Sequence, residues 1–409
     1  MRRLLKNLTL FLLPLVLLLM PGFIVLHAAG ELIAPRNVGR LSRDSRPMLA
    51  GNAYTNYVRE LKMYEAKARH PRVLALGSSR VGQFRSGFFK ESRIFYNASM
   101  GGTSFTSYRY FIEELGSSLP DIVIVDMLQP FFGPANPRFP VVAPNPFRAN
   151  IDTFSIAESV RESSWGEVYY DYVDGFNSIM GTYFRDGAWW KVYTDYASGK
   201  FTLEDVFDRR DPGIAVVGLR AITTDDGTLN DGSDRYGKIV RSTHEQERVK
   251  RDIAARAADV TDEGVAYDYG PDISSDAIEV LKQLLQSCKE RDVFVIGFLP
   301  PMPHAVYEAM QAHPNATYAE SFRTLSETLK DIYATYGFDF YDFEDVSAFG
   351  GSDREMVNST HGSEKMYLRL FIKMAENSLP LSPLVDVSSL KATLERTEGD
   401  YEVFPLRRF

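Results

Sequence analysis

Apolar residues recur along the chain in short runs set between polar, helix-period stretches. Val73 to Leu76, Ile94 to Tyr96 and Ile122 to Val125 are runs of strand length. Residues 104–116 between them carry clear helical spacing, and residues 84–91 carry it faintly. Ahead of them, residues 52–69 place Tyr54, Tyr57, Val58, Leu61 and Tyr64 at helical intervals. The rhythm resumes late in the chain. A helix is predicted over 275–290, a strand from Val293 to Leu299 ended by Pro300 and Pro301, a helix over 317–336, a strand from Phe338 to Tyr341, and a final helix from about Ser363 to Glu376. Strand alternating with helix in this way predicts a parallel α/β sheet covered on both faces.

The two blocks, 71–130 and 271–380, are separated by a mid-chain insertion over 131–270. Its entrance is proline-rich (Pro130, Pro134, Pro137, Pro140, Pro144 and Pro146), which reads as an extended or ordered loop. Aromatic residues follow, from Tyr169 through Trp189 and Trp190 to Tyr196, with core of the insertion or a sugar-stacking surface as the two readings. A Gly/Asp-rich loop covers Thr223 to Gly237; its acidic residues match a calcium loop poorly, because Gly232 is out of position. Residues 31–70 read as a polar linker and a helix, and 381–409 as a tail with a short charged helix.

At the amino end, Arg2, Arg3 and Lys6 precede an uncharged apolar run from Asn7 to Gly30. About 20 helical residues cross a bilayer core, whereas a cleaved signal has an apolar stretch of roughly 7–15. The run therefore favours a transmembrane signal anchor over residues 1–30, with cleavage at Ala28-Ala29-Gly30 as the alternative. Basic residues ahead of the span place the short end in the cytoplasm and the bulk of the chain on the extracytoplasmic side of the cytoplasmic membrane, periplasmic or facing the cell wall. Arg36, Arg40, Arg43 and Arg46 beyond it weaken that contrast.

The 409 residues carry 46 Lys and Arg against 54 Asp and Glu, a net charge of −8, so nucleic acid is not an expected partner. The single cysteine, Cys288, excludes an internal disulfide and a Cys-rich zinc site, and the six histidines show no metal-ligand spacing. No cofactor is implied.

In open α/β sheets ligands bind beyond the carboxyl ends of the strands. After the first strand stands Gly77-Ser78-Ser79-Arg80, where small residues leave a serine hydroxyl exposed on a strand-to-helix turn. After the second stands Asn97-Ala98-Ser99-Met100-Gly101-Gly102, a glycine turn able to bring another N–H to the same place. Asn358-Ser359-Thr360-His361-Gly362-Ser363 precedes the last helix. A histidine there can reach the first turn, and a serine nucleophile needs such a base.

With these three segments the sequence resembles the SGNH/GDSL hydrolase superfamily, in particular its membrane-anchored branches acting on envelope glycans, the D-alanine transfer proteins and the alginate-type O-acetyltransferases. The resemblance spans about 71–130 and 275–376. It implies a flavodoxin-like parallel sheet of SGNH type, Ser79 as nucleophile, His361 as general base, and an oxyanion hole from the Ser79 N–H and that of Gly101 or Gly102, with Gly101 preferred. Two positions depart from the pattern. Asn358 stands where the family has the acid, three residues before the histidine; Asp342, Asp345, Asp353 and Glu355 are alternative acids. In the Ser-His-Asp triad the change from acid to amide costs about 10⁴ in rate. The third block, usually Gly-x-Asn-Asp, reads Asp126-Met127-Leu128-Gln129 here, with Asp126 or Gln129 as stand-ins. Arg80, Gln129, Asp126 and His304 are the expected substrate contacts.

The resemblance implies a serine-dependent O-acyltransferase or esterase working on a cell-envelope polysaccharide, with an acyl donor and a membrane acyl-carrier protein as partners. The alternative is a catalytically degenerate fold that binds glycan or assembles a polysaccharide complex. A phosphate- or nucleotide-binding domain using the Gly-Ser-Ser turn ranks third, since it leaves His361 without a role.

Overall fold

The computed structural model describes residues 2–31, 35–43, 46–51, 58–101, 104–133, 141, 145, 187–207, 213–260 and 272–406. The chain forms two compact units. The larger comprises Lys62–Ile151 and Asp231–Pro405, and the smaller Met1–Leu61, Asp152–Asn230 and Leu406–Phe409.

The larger unit is an α/β structure. It is built on five strands, β1 (Val73–Gly77), β2 (Phe95–Ser99), β3 (Ile122–Asp126), β4 (Phe294–Leu299) and β5 (Asp339–Asp342). Their order across the sheet is β2-β1-β3-β4-β5, and every neighbouring pair is parallel. Val73 pairs with Phe95 and Ile122, and Ile122 with Phe294, so the carboxyl ends of β2, β1, β3 and β4 finish together.

Side chains alternate between the two faces of each strand. Leu74, Leu76, Val123, Val125 and Val295 enter one apolar layer, with Phe111 and Ile112 of the Phe105–Glu114 helix, Leu281 and Leu284 of Ser275–Lys289, and Leu329 of Ala316–Tyr336. Val73, Ala75, Ile122, Ile124 and Ile296 enter the other, with Leu368 and Phe371 of Glu364–Asn377 and Ile253 of Thr243–Ala258. Both faces are covered, which is why the strands read as unbroken apolar runs. Each such Leu, Ile or Phe contributes about 1.5–3 kcal/mol through burial. The Ser275–Lys289 helix begins where Ser274 caps the Ala277 N–H at 3.3 Å, and its Ala277, Leu281, Leu284 and Cys288 follow the helical period inward.

Several local expectations change. Residues 84–91 are not an α-helix: this stretch holds a 3₁₀ turn at Ser86–Phe88, and another follows at Ser92–Ile94. The insertion does not stay together, because residues 231–260 return to the larger unit while Asp152–Asn230 belong with the amino-terminal segment. The Gly/Asp-rich stretch contains two short strands, Asp226–Leu229 and Asp234–Tyr236. The aromatic residues from Tyr169 to Phe184, and all the prolines of the cluster except Pro130, lie outside the described residues.

In the smaller unit the amino-terminal helix runs Arg2–Ala29 with Pro14 and Pro21 inside it. Its Leu10–Ala29 stretch has a mean hydropathy of 2.4 and is long and apolar enough to cross a membrane. The supposed linker at 31–50 holds a short helix, Pro35–Ser42, and a buried strand, Met48–Ala50. That strand pairs parallel with Ala215–Val217 and antiparallel with Asp226–Leu229. Three residues are too few to show a period, and the partners are distant in sequence.

Candidate active site

β1 ends in Gly77, where the chain must turn beside a buried carboxylate. A Cβ at Gly77 would lie 2.3 Å from Asp126 Oδ1 and 2.7 Å from Val81 Cγ1, so glycine alone fits. Asp126, the last residue of β3, is fully buried and holds the turn. It accepts from the Ser78 N–H at 3.1 Å, from the Ser78 hydroxyl, and from the Tyr108 hydroxyl at 2.8 Å. Burial pushes its carboxyl above the usual range, opposed by those hydrogen bonds and by Arg80. Ser78 Oγ in turn caps the Arg80 N–H at 3.1 Å, opening a 3₁₀ turn over Ser79–Val81.

Ser79 is the outward residue of this turn. Its Oγ lies 2.7 Å from His361 Nε2, although 282 residues separate the two. The His361 ring is held on its other side by the turn it belongs to: Nδ1 is 3.0 Å from Asn358 Oδ1 and 2.9 Å from Thr360 Oγ1. Asn358 Oδ1 also accepts from the N–H groups of Thr360 and His361, each at 2.8 Å, and from the Thr360 hydroxyl at 2.9 Å. An amide oxygen has two lone pairs. With so many donors on it, the Thr360 hydroxyl forms a relay, accepting from Nδ1–H and donating to Asn358. This assigns Nδ1 as the protonated nitrogen and leaves Nε2 to accept from Ser79. The assignment follows from the hydrogen-bond network.

Burial, with the Arg80 guanidinium nearby, pulls the His361 imidazole down to about 3, so the ring is neutral throughout the physiological range. One edge of the residue is open to solvent. None of the alternative acids touches it. Asp345 binds His304, Asp353 caps the His304 N–H at 2.6 Å, Glu355 pairs with Arg369 at 2.8 Å, and Asp342 accepts from the Glu344 N–H.

The glycine turn is clamped to the serine turn. The Met100 N–H donates to the Gly77 carbonyl at 2.9 Å, and Asn97 Nδ2 donates to the carbonyls of Val81 at 2.8 Å and Phe84 at 3.0 Å. Gly101 follows at φ +58, a left-handed conformation suited to glycine, with open space where a Cβ would be. Neither the Ser79 N–H nor the Gly101 N–H forms a hydrogen bond among the described residues. Gly102 lies outside the described residues. A loop the sequence marked only as Gly/Asp-rich braces this clamp. The Asn97 N–H donates to the Asp231 carbonyl at 2.8 Å, the Ser86 N–H to Asp231 Oδ2 at 2.7 Å, and the fully buried Lys62 ammonium to the Asn97 and Gly232 carbonyls. Burial draws Lys62 down to about 8.

The expected substrate contacts separate. Asp126 and Gln129 are both fully buried and face inward, so neither reaches a bound molecule. Gln129 Nε2 donates to Glu344 Oε1 at 2.6 Å, and burial with the neighbouring Asp342 pushes the Glu344 carboxyl well up. Gln129 therefore does not replace the missing asparagine donor. Arg80 is also buried, with its charge acting on His361, Asp126, Glu344 and Tyr367. His304 stays partly exposed beyond β4, and its bond to Asp345 raises its basicity. Sequence reasoning passed over Thr360, although its place between Asn358 and His361 was a usable signal.

No protein-family model matches the chain, and no curated protein matches it.

Proposed function

We propose that the larger unit is a serine-dependent acyl-transfer enzyme of SGNH type, an esterase or O-acyltransferase for a cell-envelope polysaccharide. The observation that carries this is the 2.7 Å contact between Ser79 Oγ and a neutral His361 Nε2 beyond the carboxyl ends of parallel strands. The strand order 2-1-3-4-5 is that of flavodoxin-like folds, which supports the same assignment. Ser79 attacks the acyl carbonyl while His361 Nε2 takes its proton, and the positive ring is steadied through Nδ1–H by Thr360 and Asn358. The Ser79 and Gly101 N–H groups face the oxyanion. His361 then returns the proton to the leaving oxygen, and a glycan hydroxyl or water, deprotonated by the same nitrogen, releases the acyl group. An amide in place of the acid and a two-donor oxyanion site make this a slow or specialised catalyst. Arg2, Arg3 and Lys6 ahead of the apolar helix favour a single-pass anchor with the bulk of the chain extracytoplasmic, where an acyl donor reaches it through a membrane carrier protein.

The two departures, Asn358 and the inward-turned Gln129, favour a second reading as a non-catalytic glycan-binding or assembly module. Acetyl-ester turnover by the full-length chain in detergent separates the two. Turnover lost in Ser79→Ala supports the enzyme; turnover unchanged in that variant excludes Ser79 as nucleophile.

A further inference from the structure

The smaller unit carries exposed aromatic side chains that the acyl-transfer chemistry does not use. Two helices, Ala188–Ala197 and Leu203–Phe207, pack against Arg2–Ala29, bringing Val192 and Val206, with Phe201 between the two helices, onto Val25, Leu26 and Ala29. The joint is specific. The Tyr193 hydroxyl accepts from the Gly22 N–H at 3.2 Å and donates to the Leu18 carbonyl. Those two groups stand at i and i−4 in the longer helix, one turn apart beside Pro21, and the Tyr193 hydroxyl bonds both.

These two bonds fix where the Ala188–Ala197 helix sits along the longer one. Twenty helical residues span a 30 Å hydrocarbon core. The apolar stretch Leu10–Ala29 has that length, and Val25, Leu26 and Ala29, on which the two helices pack, are among its last residues. On the two helices Trp190, Tyr196, Leu203 and Phe207 are 58, 51, 47 and 55% exposed, and Lys191 and Lys200 are exposed as well. Tryptophan, tyrosine and snorkelling lysine are the residues that favour the boundary between lipid and water. Scattered single apolar residues need no explanation, but four large ones between positions 190 and 207 beside a membrane-length helix do.

We propose that residues 188–207 form a second membrane element, lying in the headgroup region where the amino-terminal helix leaves the bilayer. Trp190, Tyr196, Leu203 and Phe207 enter the interface, and Lys191 reaches toward lipid phosphates, while Lys200 is paired with Asp195 at 2.6 Å. The proposal rests on the membrane span of the amino-terminal helix.

The test uses the full chain in phosphatidylcholine–phosphatidylglycerol vesicles. The chain has three tryptophans, so Trp165→Phe with Trp189→Phe leaves Trp190 as the sole emitter. Nitroxide lipids labelled near the headgroup are expected to quench it at least about twofold more than lipids labelled at mid-chain, as an interfacial side chain requires. Stronger quenching from mid-chain, or quenching by aqueous acrylamide with none by lipid, overturns the proposal. Protection from both means that a second copy or another protein covers the patch, and also overturns it. An environment-sensitive dye on Phe207→Cys gives an independent reading, because Cys288 is buried with its thiol pushed up to about 12. That dye shifts to the blue on vesicle insertion; an unshifted emission counts against the proposal. Flotation after an alkaline wash is scored separately. Loss of flotation defeats the membrane span itself, whereas flotation with Trp190 indifferent to lipid defeats only the interfacial element.

Discussion

Replacing Asn358 with Asp puts a carboxylate where the site has only an amide, 3.0 Å from His361 Nδ1. The change costs no existing bond. Asn358 Oδ1 acts as acceptor for Thr360 and His361, a carboxylate oxygen accepts from the same donors, and the amide NH₂ makes no hydrogen bond among the described residues. A unit negative charge about 4 Å from the imidazolium, at an effective dielectric of about 20, is worth roughly 4 kcal/mol. That equals about three pH units in the ring's titration, taking it from about 3 to near 6. Two outcomes follow for Asn358→Asp. The acid limb of the pH–rate profile, expected near pH 3 for the parent chain, is expected to move to near pH 6. Above pH 7 the rate rises by about 10²–10³, because the same charge stabilises the imidazolium formed during attack. The rate of covalent labelling by a fluorophosphonate, measured from pH 3.5 to 9, reads both without knowledge of the natural acyl group. An unmoved acid limb, or slower labelling at every pH, refutes the reasoning.

His361 also ties stability to pH. Its folded-state pKa lies below the unfolded value, so its contribution is present above about pH 6.5 and is lost as pH falls toward 3. By pH 4 the loss reaches at most about 3 kcal/mol, less where the open edge of the ring is screened. In urea melts, His361→Gln therefore shows a smaller drop in stability between pH 7 and pH 4 than the parent; an equal drop contradicts the buried neutral ring. Gly77→Ala forces a Cβ against Asp126 and Val81, and is expected to lower stability by about 1–3 kcal/mol and to slow labelling at least about tenfold through the displaced serine turn. Unchanged labelling argues against Asp126 as the support of that turn. Gln129→Ala leaves the Glu344 carboxyl without its donor and costs about 1–3 kcal/mol, with labelling within about threefold of the parent because Gln129 faces inward. A loss of 10² or more, the scale of an oxyanion donor, returns Gln129 to the catalytic site.

The sheet was legible because it is covered on both faces. Val73–Gly77, Ile122–Asp126 and Phe294–Leu299 have no polar alternation to confuse them, and helices between them show an apolar period. The Ser79 and His361 turns were legible as strand-end positions in order along the chain. What stayed hidden depends on partners far away in sequence. Met48–Ala50 is a strand only because Ala215–Val217 and Asp226–Leu229 flank it. Asp126 stands at the end of an apolar run in the sequence, but its grip on Ser78 depends on the β1–β3 register. Residues 84–91 have helix-like spacing, yet Asn97 and Asp231 claim the backbone groups of Val81, Phe84 and Ser86. The Lys62 brace joins three segments, so no local pattern announces it.

The most direct measurement is peptide-level mass spectrometry of the full-length chain after fluorophosphonate treatment at pH 7, with the rate followed in parent and His361→Ala. A Ser-His site predicts a single adduct on Ser79, formed at least about 10³-fold more slowly once the imidazole is gone. No adduct, or an adduct on Ser79 whose rate ignores His361, contradicts the proposed chemistry.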